Sequence, residues 1–383
     1  MSEWKKYRFS DFVAINPTVS LKGTEDYSFV EMKDLKDGNK FCFPNAKRKT
    51  SSGARFQDSD TLFARITPCL ENGKICQVRG LENGVGFGST EFLVFRGKKN
   101  ISNNDYIFYL SRWDEVRGFA ESNFEGTSGR QRVNKNCFDN LVLELPNLIE
   151  QIQIASILSS LDDKIDLLYR QNKTLEQLAE TIFMQWFVKD VEGVKSSNLE
   201  DWILFDPRER LDKLKKHQMF EMKCLSNTDM SISDGVIRDV SSATTFRNGD
   251  TLLAKITPCL ENGKTGFVMH LQENEVARGS TEFIVLRTKG QASPYWIYCL
   301  ARSKDFHDTA VLSMTGTSGR QRVQVDILRS YEVKVDIERL RKFHNSVDPY
   351  FQKIKSNQNQ IRTLTQLRDT LLPKLMSGEV MFK

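Results

Sequence analysis

The chain has 383 residues, 39% hydrophobic and 27% charged, with Lys+Arg 55 against Asp+Glu 50 and a formal net charge of +5. That length and balance can bury two cores and exclude a disordered chain; the charge admits a nucleic-acid partner without requiring one. MSEWKKYRFSDF has no apolar signal region and no apolar run is long enough to span a bilayer, so a soluble, cytoplasmic protein without a membrane partner is expected.

From the N-terminus to about Glu144, short apolar runs alternate with Gly, Asn, Ser and Pro. DTLFARITP at 60–68, GKICQVRG at 73–80, EFLVFRG at 91–97 and NLVLEL at 140–145 read as strands, and NDYIFYLSRWDEVRGF at 104–119 reads as a helix. PNLIEQ then opens a different regime, with Asn147 as candidate N-cap and Glu150 as its capping-box partner, and no Gly or Pro follows until Gly193. Within it Leu158, Leu161, Ile165, Leu168, Asn172, Leu175, Ala179, Ile182 and Trp186 step by 3 and 4, a coiled-coil seam rather than the wider stripe of a surface helix. A matching seam closes the chain: Val347, Tyr350, Ile354, Asn357, Ile361, Leu364, Arg368, Leu371 and Leu375.

The two seams belong to a larger repeat. ITPCLENGK occurs at 66–74 and 256–264, an offset of 256 − 66 = 190, and GTSGRQRV at 126–133 returns at 316–323 with the same offset. Glu31-Met32-Lys33 answers Glu221-Met222-Lys223 at 190, and GSTEF at 88–92 answers 279–283 after one inserted residue. A unit this long is a domain plus a connector, not a solenoid repeat. The expected fold class is therefore α+β: two pseudo-symmetric mixed α/β heads, residues 1–146 and 193–335, separated by long antiparallel coiled-coil helices, residues 147–192 and 336–383. Each seam spans ~40 Å. Asn172 and Asn357 fall at matching levels of the two seams, where a hydrogen bond between them would fix the register.

Catalytic and metal motifs do not appear. The four histidines, at 217, 270, 307 and 344, lie in unrelated contexts, the seven cysteines form no C-x-x-C pair and suggest reduced, mostly buried thiols, and there is neither a phosphate-binding G-x-x-x-x-G-K-[ST] loop nor a nucleophile elbow. VDPYF at 347–351 has only one proline of the methyltransferase tetrapeptide it partly matches, and Val347 and Tyr350 are seam positions. A non-catalytic chain with no metal and no cofactor of its own is expected.

The repeated segments do hold residues suited to reading DNA. Arg pairs bidentately with guanine and Gln with adenine, while Thr, Ser and backbone N–H groups suit phosphates. The candidates are Thr127, Ser128, Arg130, Gln131 and Arg132 with Thr317, Ser318, Arg320, Gln321 and Arg322; then Arg65, Thr67 and Lys74 with Lys255, Thr257 and Lys264; and Ser89 and Thr90 with Ser280 and Thr281. The competing reading of GTSGRQRV is a solvated glycine turn. At the end of the first helix, Phe183, Met184, Trp186, Phe187 and Val188, with Leu371, Leu372 and Leu375 on the second, form a candidate subunit interface, against burial under the chain's own heads.

LPNLIEQIQIASILSSLDDKIDLLYRQNKTLEQLAETIFMQWFV, the closing LTQLRDTLLPKLMSGEV and the paired ITPCLENGK and GTSGRQRV segments resemble the specificity subunit of type I restriction-modification systems, over essentially the whole chain. The resemblance implies a non-catalytic subunit that recognises a bipartite, asymmetric site in double-stranded DNA, one half per head, with the helices setting the unread gap. It implies two modification subunits that bind S-adenosylmethionine and methylate adenine, and restriction subunits that use ATP and Mg. Service to a different defence assembly, or a self-sufficient methyltransferase or nuclease, are the alternatives.

Overall fold

A computed structural model describes residues 4–22, 25–127, 129–211, 216–238 and 243–380. The chain forms two compact units, residues 1–167 with 360–383, and residues 168–359. The long helices begin at Leu148 and Ile337, close to the expected boundaries, yet each contributes residues to both units.

In the first unit all four expected runs contain strands: Thr61–Ala64, Ile75–Val78, Phe92–Gly97 and Val142–Leu145. A five-stranded sheet has the order Val13–Ile15, Phe92–Gly97, Thr61–Ala64, Ile75–Val78 and Phe41–Cys42. Thr61–Ala64 and Ile75–Val78 are buried at every residue, which is why they read as continuous apolar runs instead of alternating ones. A second sheet orders Ala46–Lys49, Asp26–Val30, Val85–Gly88 and Ala54–Gln57. The helix expected over 104–119 is in fact two, Asn104–Arg112 and Asp114–Ser122, because Trp113 adopts an extended conformation (φ −64°, ψ 135°) and packs against the core between them.

The second unit repeats this plan. Its sheets order Ile203–Phe205, Phe283–Thr288, Thr251–Ala254 and Thr265–Phe267, and Val236–Ile237, Gln218–Phe220, Ala277–Gly279 and Thr244–Phe246. Helices Pro294–Arg302 and Lys304–Leu312 flank Ser303, which has the conformation of Trp113 (φ −65°, ψ 143°). The buried bidentate pair of Asp60 with Arg96, at 2.6 and 2.7 Å, recurs as Asp250 with Arg287 at 2.7 and 2.6 Å.

Within each unit the long helices, Leu148–Met184 and Ile337–Met376, pack together. In the first, Ile154, Ala155 and Leu158 share a core with Leu372, Leu375 and Met376; in the second, Ala179, Phe183 and Phe187 share one with Phe343, Val347 and Phe351. Early residues of one helix thus meet late residues of the other, so the pairing is antiparallel. Every expected seam position is buried or half-buried. Asn357 is wholly buried, and its Nδ2 donates to Asn172 Oδ1 and to Gln171 Oε1, both at 2.8 Å. Asn147 caps the first helix by accepting from the N–H groups of Ile149 and Glu150 at 3.0 and 3.1 Å.

The aromatic end of that helix corrects an expectation. Phe183 and Phe187 are core residues of the second unit, where Phe187 meets the rings of Trp296 and Phe343, and Trp186 is half-buried against Phe343. Leu372 and Leu375 are buried in the core of the first unit, with Leu371 packed on it. The chain's own residues cover these side chains and they do not form a free subunit interface. Among the described residues no helix is long and apolar enough to cross a membrane.

One carboxylate of the first long helix enters the core of each unit. Asp162, 3% exposed, accepts from Tyr109 Oη at 2.7 Å and pairs at 2.7 Å with Arg368, whose guanidinium also donates to Gly38 O at 2.7 Å. Glu176, 6% exposed, accepts from Tyr298 Oη and from the Met230 N–H, with no arginine bonded to it among the described residues. Burial pushes the Glu176 carboxyl up to about 7 from an ordinary 4.5, against the opposing bonds from Tyr298 and Met230. A raised folded-state value stabilises fully below the unfolded value, and that contribution is lost as pH climbs through the folded one. The second unit is therefore expected to lose up to about 3 kcal/mol between pH ~4.5 and ~7 from this group. Glu176→Gln, whose amide can donate to Tyr298 and accept from Met230, should flatten that slope in calorimetric unfolding of the full chain; an unchanged slope excludes Glu176 as its source.

Candidate nucleic-acid interface

The three repeated segments, far apart in sequence, meet in each unit. ITPCLENGK follows the strand Thr61–Ala64 in one copy and Thr251–Ala254 in the other, and GTSGRQRV lies across its start: Ile66 bridges Arg132, and Ile256 bridges Arg322. The Thr67 N–H donates to Gln131 O at 3.0 Å while Thr67 Oγ1 accepts from the Gln131 N–H at 3.1 Å. Thr257 and Gln321 repeat both bonds, each at 3.1 Å. Thr67 and Thr257 are each 8% exposed, so they are clamps at the base of the loop and not groups that reach a ligand, which corrects their expected role.

Arginine 132 is held from its other side. Its Nε and Nη2 bond the carboxylate of Glu91 at 2.9 and 2.8 Å, and Arg322 bonds Glu282 in the same way, with its Nη2 at 2.7 Å. The Arg322 bond holds the Glu282 carboxyl below its ordinary range. Arg65 approaches Glu91 to 3.9 Å, and Lys255 adds positive charge beside Glu282. Arg132 and Arg322 thus orient the loop through a carboxylate. Glu91 and Glu282 were not among the sequence candidates, although both sit in the repeated GSTEF segment; a carboxylate kept in one repeat and an arginine kept in another was the available signal.

The remaining candidates separate into internal and outward groups. Lys74 Nζ donates to Met32 O at 2.8 Å, and Lys264 Nζ to Met222 O and Leu225 O at 2.8 and 3.0 Å. These ammonium groups are tied to backbone carbonyls, correcting the expectation that they face phosphate. Ser89 and Ser280 accept from the N–H of Glu91 and Glu282 at 3.1 and 3.2 Å and shape their turn, which leaves Thr90 and Thr281 exposed. Thr127, Arg130, Thr317, Ser318 and Arg320 are exposed, and the side chains of Gln131 and Gln321 are half-exposed. Ser128 lies outside the described residues.

Each loop is a tight turn closed by Arg130 N–H to Thr127 O at 3.0 Å, or Arg320 N–H to Thr317 O at 2.9 Å. Gly126 and Gly129 have φ of 113° and 79°, and Gly316 and Gly319 125° and 77°, values that favour glycine. The result in both units is a fixed base, made by the threonine clamp and the arginine–glutamate pair, carrying a tip whose Thr and Arg side chains have no protein partner among the described residues. Among those residues, no group of three or more His, Cys, Asp or Glu is placed to hold a metal ion.

Comparison with known proteins agrees with this picture. Residues 1–177 match the family model of the type I restriction modification DNA specificity domain. The chain is 30% identical over 188 residues to the EcoEI specificity subunit of Escherichia coli, an alignment covering 47% of this chain and only 32% of that protein. It is 24% identical to the MjaIX specificity subunit of Methanocaldococcus jannaschii, over 99% of this chain and 94% of the other. The crystal structure of the type I restriction-modification S subunit from M. genitalium shares the fold, with a TM-score of 0.51 at 14% identity, covering 97% of this chain and 96% of that one. Residues 1–177 thus match a type I restriction modification DNA specificity domain, and over nearly its whole length the chain is similar to a specificity subunit of such a system.

Thr67→Val removes the acceptor of the Gln131 N–H at the loop base. The expected cost is about 1 kcal/mol, or several-fold faster amide exchange at Gln131, with the same effect at Gln321 for Thr257→Val. Unaltered exchange at both positions would show that the clamp does not hold the loops.

Proposed function

We propose that this chain is the non-catalytic DNA-reading subunit of a type I restriction-modification complex. It recognises a bipartite, asymmetric duplex site, one half per head, and directs adenine methylation and restriction there. The observation that carries the reading is the anchored loop built the same way in both units, with Arg130 or Arg320 exposed at its tip. An arginine on a rigid base suits bidentate recognition of guanine O6 and N7. The different residues around the loops in the two heads support two different half-sites. S-adenosylmethionine, ATP and Mg belong in this reading to the two modification subunits and to the restriction subunits, and the site of action is the cytoplasm.

Docking of the modification subunits is assigned to side chains that the core leaves uncovered. On the first long helix Ile149 is 71% and Ile152 49% exposed, Leu178 and Met184 are also exposed, and so is Val188 just beyond its end. Such apolar groups on a helix fit a helical partner surface.

Arg130→Ala and Arg320→Ala are each expected to cost ~1 to 3 kcal/mol at the half-site they read. In a strain carrying either variant with its partner subunits, methylome sequencing should show relaxation in one half of the site only, a different half for each. Methylation that keeps both halves intact in both variants overturns the reading. Ile149→Glu with Ile152→Glu should lower the amount of modification subunit that copurifies with a folded chain; full recovery of that subunit rules out the docking face.

A further inference from the structure

One group kept by the repeat is not used by the loops. Glu31-Met32-Lys33 recurs as Glu221-Met222-Lys223, and Arg48 recurs as Arg238 at the same offset of 190. Glu31 binds Lys33 Nζ and Arg48 Nη2, both at 2.5 Å; Glu221 binds Lys223 Nζ at 3.1 Å and Arg238 Nη2 at 2.9 Å. The exposures also match, 74% and 75% for the lysine side chains and 52% and 51% for the arginines. Around the arginine the strand has diverged, since Ala46-Lys47 in the first unit stands where Val236-Ile237 stands in the second. A carboxylate just after an inner strand has therefore kept its hold on two cations, although the side chains before the arginine on the neighbouring edge strand changed.

Stability does not account for that. Exposed ion pairs contribute little to stability, because solvent screens them and ordering two long side chains costs entropy. The arrangement does leave one net positive charge, with guanidinium and ammonium donors beyond those the glutamate uses, directed by a fixed partner. Its place in the fold is also specific. The Ser89 N–H donates to Val30 O, next in sequence to Glu31, and the Ser280 N–H to Phe220 O, next to Glu221. Each cluster thus adjoins the Ser-Thr turn whose following glutamate holds Arg132 or Arg322.

Resting on the DNA reading above, we propose that Lys33 with Arg48, and Lys223 with Arg238, each pair oriented by its glutamate, bind backbone phosphates beside the recognition loop, one cluster per half-site. The clusters supply the sequence-independent grip that Lys74 and Lys264, tied to carbonyls, do not. Contacts of this kind set register on the duplex, while base edges are read elsewhere. In the first unit Asp34 follows Lys33 and Lys49 follows Arg48, whereas in the second Cys224 follows Lys223 and Asp239 follows Arg238, so each cluster has one carboxylate as a sequence neighbour.

The test is a salt series with the full chain and a labelled duplex of random sequence. Lys33→Gln with Arg48→Gln removes two phosphate contacts and should make the log affinity against log salt slope shallower by roughly 1.8; Lys223→Gln with Arg238→Gln, measured separately, should do the same. Lys5→Gln with Lys6→Gln, two exposed cations on the strand Lys5–Arg8, serves as the charge-matched control and should change the slope by much less. Equal changes in cluster and control variants, or none in either cluster, overturn the proposal. So does a normal slope combined with loss of copurifying modification subunit, which would make the cluster a protein contact. Absence of any salt-dependent duplex binding by the unaltered chain removes the DNA reading itself, an outcome distinct from failure of the clusters.

Discussion

Each head is seated on the helix pair through one buried carboxylate, and the position of every outward group in that unit depends on the seat. Burying a carboxylate is costly unless it is bonded and neutralised, and the two units meet this demand differently. Asp162 receives Arg368 from the second helix and Tyr109 from the head. Glu176 receives Tyr298 and a backbone N–H, and burial raises its proton affinity against those two bonds. In both cases the phenol belongs to the head helix that covers the central sheet, so the same contact orients that sheet and the loops at its edge.

The loops show how a recognition surface is made rigid without being made inert. Thr67 and Glu91 engage Gln131 N–H and Arg132 at the loop base, while Arg130 stays exposed at the tip. A residue such as Arg132 would be a poor reader because its guanidinium is already engaged; Arg130, two positions away, is exposed and has no side-chain partner among the described residues. Repetition of a motif therefore marks scaffold and contact residues alike, and only bonding partners separate them.

This explains what the sequence disclosed and what it hid. The heads, the antiparallel helices and the Asn172–Asn357 contact were legible because repeat spacing and a 3-and-4 seam constrain them directly. Lys74 was misassigned because a lysine stem packs like an apolar chain while its ammonium seeks whichever carbonyl lies at its end, here Met32, which is distant in sequence. Phe187 was misassigned because an apolar helix end has the same pattern whether covered by a partner or by Trp296 and Phe343 of its own chain. The break at Trp113 had no Gly or Pro to announce it.

The division of the long helices between units bears on the order in which the chain can be completed. Residues 168–359 are contiguous, so the second unit has all its parts as soon as that stretch has left the ribosome. The first unit is interrupted: Asp162 is synthesised long before Arg368, and the core around Leu158 lacks Leu372, Leu375 and Met376 until residues 360–383 emerge. The head made first is thus the head finished last, and during translation its seat carries an unneutralised carboxylate and an open apolar face. Vectorial synthesis makes the nascent first head the vulnerable one, because the segment that closes it follows the whole of the second unit.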